Sequence, residues 1–139
     1  MAPTHEEDRR SLGVAMMRRT LGAAYVDARD KTTNNFNAPL RAFSEEACYG
    51  TLWTRDALAP KIRSLMCLGM LTALNRPHEI ATHVRGALNT GCSVEEIQEA
   101  LLHTVAYCGL PATIDAFRVV ERVLAEEGHT EVLKPLNES

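Results

Sequence analysis

The chain has no apolar run long enough to cross a bilayer. Its longest, LMCLGMLTAL over residues 65–74, is about half of the ~20 residues a membrane helix needs and reads as a buried helix. The first ten residues, MAPTHEEDRR, are acid-rich and lack the basic start, apolar segment and small-residue cleavage site of a secretory signal, so a cytoplasmic protein is expected. There is no block of Lys and Arg, and the formal net charge is -3. A phosphate backbone therefore finds no electrostatic footprint, and no nucleic-acid partner is expected. The four cysteines, Cys48, Cys67, Cys92 and Cys108, form no C-x-x-C pair. Neither a zinc knuckle nor a thioredoxin-like dithiol is written here. Sustained period-two alternation is also missing, which argues against strands.

What remains is helix. The length of 139 residues, 45% of them hydrophobic and 24% charged, suits one soluble domain. Apolar residues recur at spacings of three and four, giving an all-α chain of about six helices. The first spans about residues 6–21, and the polar stretch AAYVDARDKTTNNFNAP that follows reads as a long connection. Pro39 then opens a second helix to about Trp53, Pro60 a third to about Asn75, and Pro77 a fourth ending at Gly91. Ser93 and Glu96 fit a capping box for the fifth helix, stopped by Gly109, and Pro111 starts a sixth, ended by Gly128. Short links make the last three helices antiparallel neighbours. Phe117, Val119 and Val123 form a broad apolar side of the sixth, expected to meet another subunit.

Two histidines and a glutamate stand out in HEIATHVRGAL, residues 78–88. On a helix Glu79 and His83 lie about 40° apart, whereas His78 and His83 diverge by about 140°, so both imidazoles cannot grip one zinc. No metal site is expected. His83 falls at the edge of the apolar stripe Ile80, Val84, Ala87 and Leu88, where a cleft residue would sit. A neighbouring carboxylate can make such a histidine a general acid, while the plainer alternative is an exposed ion pair of ~0.5 kcal/mol or less. Arg85 projects from another side, either solvated or at a subunit contact. Cys92 precedes the fifth helix, whose dipole could activate a thiol there, though a lone cysteine is more often inert. His103 and Tyr107 share a face of that helix and read as packing residues.

The run from GTLWTRDAL through RSLMCLGMLTALNRPHEIATHVRGALNTGCSVEEIQEALLHTVAYCGLPATIDAFRVVERVL, about residues 50–124, resembles the carboxymuconolactone decarboxylase family. MMRRTLG and YVD resemble the RR-x-LG and HVD elements of its decarboxylase branch, with Tyr25 in place of histidine. In the sister alkylhydroperoxidase D proteins a glutamate precedes a C-x-x-C pair and a histidine. Started at Glu79, that pattern falls on Gly91, Val94 and Gln98, so dithiol peroxidase chemistry has no equipment.

The resemblance implies an alkylhydroperoxidase D-like helical fold, a homotrimer or homohexamer, and no metal or organic cofactor. It implies a decarboxylase acting on 4-carboxymuconolactone or a related lactone carboxylate in aromatic-compound catabolism, the β-ketoadipate pathway, with the site near a subunit boundary. CO2 would leave as electrons flow into the lactone carbonyl, followed by reprotonation. On this reading His83 is the general acid or oxyanion donor and Glu79 its orienting partner. Arg63 is a carboxylate clamp, and Arg85, Trp53 and Tyr49 are further substrate-binding residues. One segment departs from the family: PLRAFSEEACYG carries Glu45 and Glu46 where Thr and Arg are usual, and Tyr49 where Trp is usual. Two acids lining a site would repel a dicarboxylate.

Overall fold

A computed structural model describes residues 5–138. All regular elements among them are helical: α1 His5–Leu21, α2 Ala23–Lys31, α3 Ala38–Phe43 continuing into a π-helix Ser44–Trp53, α4 Pro60–Ala73, α5 Pro77–Asn89, α6 Val94–Cys108 and α7 Leu110–Glu126. Two single 3₁₀ turns, Glu131–Leu133 and Leu136–Glu138, follow. No described helix is long and apolar enough to span a membrane. Backbone contacts divide the chain into two units, one ending at Arg63 and the other starting at Ser64, so the boundary falls inside α4.

In the N-terminal unit α1 packs on the π-helix through backbone. A Cβ placed on Gly13 would lie 1.7 Å from the Glu45 carbonyl oxygen, and one on Gly50 would lie 2.3 Å from that of Arg9. Only hydrogen fits at either position, and that absence lets the two helices touch. Met16, Met17, Leu21, Val26, Tyr49 and Trp53 are the buried apolar side chains of this unit.

The stretch expected to be one long connection contains α2. Its polar composition hides the helix because only Val26 is buried, and charge pairing holds the rest. Arg18 donates to Asp27 at 2.9 Å and Arg29 donates to Glu45 at 2.5 Å. The true link is residues 32–37, closed on itself by asparagines. The Asn34 side chain accepts from the amides of Phe36 and Asn37, and the Asn37 side chain accepts from the amide of Asn34. Such reciprocal side-chain turns are what Asn supplies in place of helix.

In the C-terminal unit Leu68, Ile80, Val84, Ala87, Ile97, Leu101, Ala116, Val120 and Val123 form the core. The Ser93–Glu96 capping box is formed, with the Glu96 amide donating to the serine hydroxyl at 3.0 Å and the Ser93 amide to the carboxylate at 3.1 Å. Gly109 alone joins α6 to α7, and its φ of 87° is the left-handed conformation such a turn requires. Thr104 and Thr113 share a 2.7 Å hydroxyl bond across it. One apolar crevice is lined by Val94, Ile97 and Leu101 of α6 with Leu124, Val120 and Phe117 of α7. The one-residue link at Gly109 and the Thr104–Thr113 bond across it make the two helices antiparallel neighbours. The side of α7 expected to meet a second subunit is used within the chain: Val123 is completely buried, and Phe117 and Val119 pack on the same core.

Candidate active site

His83 sits on the second turn of α5, with Val84 fully buried beside it. Its imidazole is half-buried, and Nδ1 is shut away from solvent with no hydrogen-bond partner. An orphaned buried ring nitrogen is costly unless something else uses it. Burial pushes the His83 pKa down from its ordinary 6.5, and the nearby charge of Glu79 pulls it back only in part. The ring is therefore a neutral imidazole at pH 7, with one N–H to give and one lone pair to receive.

Glu79 lies on the same helix but is exposed. No hydrogen bond or ion pair joins it to His83, so it acts on the ring through charge alone. The orienting contact expected from the sequence is not made. His78 is exposed, as its helical angle requires. Among the described residues no three His, Cys, Asp or Glu side chains converge.

Arg63, at the end of the first turn of α4, also carries an orphan: its Nε is buried with no hydrogen-bond partner. A guanidinium edge left unsatisfied in this way lacks the charge-assisted hydrogen bond it is built to donate. The next residue, Ser64, is fully buried and shares a 2.9 Å hydroxyl bond with Thr90 at the end of α5.

Arg85 is differently placed. Its Nε donates to Glu127 at 2.9 Å, and a second nitrogen is in ion contact with Glu126. The guanidinium thus ties α5 to the end of α7, an intramolecular role that the sequence did not suggest.

Tyr49 and Trp53, one turn apart on the π-helix, are both buried and stack with ring centroids 5.5 Å apart at 11°. Trp53 also lines a cavity of about 290 Å³ together with Met16, Arg19, Arg55 and Leu58. The two arginines there were not singled out from the sequence, although Arg19 belongs to the RR-x-LG element that drew notice on other grounds.

Glu45, one of the two acids expected to repel an anionic substrate, is 5% exposed and held by two arginines. Arg29 donates to one carboxylate oxygen at 2.5 Å and Arg10 to the other at 2.6 Å. Burial alone would raise its pKa, but the hydrogen bonds from Arg29 and Arg10, with their charges, outweigh it and hold the carboxyl below its ordinary 4.5. Its charge is balanced inside the N-terminal unit. Cys92 is buried in the core of the C-terminal unit and is no exposed thiol.

The chain is 35% identical over 124 residues to a nitrosuccinic acid decarboxylase of Metarhizium robertsii, covering 87% of each protein. It is 32% identical over 124 residues to a 4-carboxymuconolactone decarboxylase of Acinetobacter baylyi, covering 89% of this chain and 92% of that one. The sequence profile of the carboxymuconolactone decarboxylase family matches residues 38–122. On that match, and on the alignment of nearly its whole length with two decarboxylases, this chain belongs to the carboxymuconolactone decarboxylase family.

Proposed function

We propose that this decarboxylase acts on a small dicarboxylate in which the carbon losing CO2 feeds a strong electron acceptor, with 4-carboxymuconolactone or a related lactone acid as first candidate. The two named relatives support the class more than either compound, since identity to them differs little. Nitrosuccinic acid and carboxymuconolactone share two carboxylates and an acceptor, a nitro group in one and a conjugated lactone carbonyl in the other. In both, the bond to the departing carboxylate breaks and its electron pair moves into the acceptor. A proton is then added to carbon.

The observation that carries the proposal is His83: a neutral imidazole whose buried Nδ1 has no partner. A neutral ring is a poor acid but a good donor to a developing oxyanion, where a fixed hydrogen bond in a dry site is worth most. Arg63, with its own orphaned Nε, is proposed to hold a carboxylate that stays on the product. Glu79 sets the basicity of His83 through its charge. For the lactone, the reaction belongs to the breakdown of aromatic compounds by the β-ketoadipate pathway.

A homotrimer or homohexamer is part of the proposal. It is supported by Met66 and Met70, four residues apart on α4, and Leu74 just past its end, each at least half exposed, apolar exposure of a kind that marks contact surfaces. Light scattering on the purified protein gives the copy number.

The test of function is CO2 release from 4-carboxymuconolactone and from nitrosuccinate. His83→Ala should lower turnover ~10²-fold or more while leaving the fold intact. Release from neither compound, or a loss below about threefold in the variant, sinks the reading.

A further inference from the structure

The cavity beside Trp53 lies wholly within the N-terminal unit. Its wall combines the last turn of α1, the end of the π-helix and the loop before α4, through Met16, Arg19, Trp53, Arg55, Asp56 and Leu58. Four other arginines of this unit are engaged: Arg10 and Arg29 on Glu45, Arg18 on Asp27, and Arg41 on Thr33 and the Arg29 carbonyl. Neither Arg19 nor Arg55 has an ion pair or side-chain hydrogen bond among the described residues. Two unspent guanidinium groups thus come from different elements to one cavity that Trp53 and Met16 also line.

We propose that this cavity binds a small dicarboxylate, Arg19 taking one carboxylate, Arg55 the other, and the Trp53 ring the carbon chain between them. Guanidinium groups bind carboxylates through paired, charge-assisted hydrogen bonds. A monoanion would satisfy only one of them. A volume of about 290 Å³ falls at the lower edge of the ~300–1,000 Å³ typical of small-molecule sites, which selects a compact ligand. Asp56 supplies the one opposing charge in the wall. It keeps the empty cavity from holding two uncompensated cations and weakens the hold on an anion. The inference concerns binding and stands apart from the role of His83.

Trp53 is the only tryptophan, so its fluorescence reads this cavity directly. Succinate added to the whole protein should change the emission saturably, with propionate far weaker, and equilibrium dialysis should give the same affinity. Arg19→Ala and Arg55→Ala should each weaken succinate binding ~10-fold or more, and Asp56→Asn should tighten it. All three side chains are exposed, so the variants keep the fold. No saturable binding by dialysis, equal binding of propionate, or indifference to both arginine changes overturns the proposal. The readout needs no turnover: a protein that binds succinate but releases no CO2 sinks the decarboxylase reading and leaves this one standing.

Discussion

Glu45 lies 2.5 Å from Arg29 and 2.6 Å from Arg10, so a carboxylate that the sequence offers as a repulsive wall is the anionic centre of an arginine pair. Arg29 is only 10% exposed, and removing Glu45 leaves it buried without its counter-charge. Glu45→Ala should therefore cost about 3 kcal/mol in urea unfolding at neutral pH, the low end for a broken buried pair because Arg10 remains half in solvent. The pH dependence follows from the lowered pKa. The stabilisation is present above the unfolded carboxyl's 4.5 and is lost as pH falls through the lower folded value. Wild type should weaken over that acid window and the variant much less.

The Gly13 contact gives a second test. Alanine there places a methyl 1.7 Å from the Glu45 carbonyl oxygen, an overlap with backbone that no rotamer relieves. Gly13→Ala should cost ~3 kcal/mol or more in chemical denaturation. Gly69 is the control: a Cβ there meets nothing within 4 Å. Gly69→Ala, in the interior of α4, should stabilise by about 0.5–1 kcal/mol.

Most of the helices were legible because periodicity and punctuation agree. Pro39, Pro60, Pro77 and Pro111 open helices, and Ser93 with Glu96 caps one. α2 was not legible, since a helix anchored by Val26 alone carries no stripe, and its ion pairs reach residues 9 and 16 positions away. The π-helix from Ser44 was hidden for a related reason. The close approach of Gly13 and Gly50 is a tertiary contact that no local pattern states. At the candidate site, helical angles separated His78 from His83. Whether a carboxylate faced a cavity, a counter-ion or solvent needed three dimensions, as Glu45 and Arg85 both show.

Arg85 tests a structural role against a binding one. It is held by Glu126 and Glu127 in pairs that are one-third to two-fifths exposed, a setting in which salt bridges contribute ~1 kcal/mol or less. Arg85→Gln should lower stability by up to about that amount, with the loss shrinking at high salt. Turnover should stay within about threefold of wild type. A rise in KM of ~10-fold or more at unchanged stability would return Arg85 to the substrate.

His83 and Glu79 can be separated by titration. Burial lowers the His83 pKa from 6.5 and Glu79 raises it in part, so Glu79→Gln should move it lower still, as read from the imidazole proton shift in NMR. The stability consequence has a fixed sign. The unfolded chain binds the His83 proton at 6.5 while the folded chain resists until a lower pH, so folding carries no penalty above 6.5 and an increasing one as pH falls below it. The penalty levels off below the folded pKa. It should deepen in Glu79→Gln, whose folded pKa lies further down, and vanish in His83→Gln, which keeps a polar side chain but does not titrate. An unchanged His83 titration in Glu79→Gln would show that the carboxylate does not act on the ring, and would remove Glu79 from the proposed site.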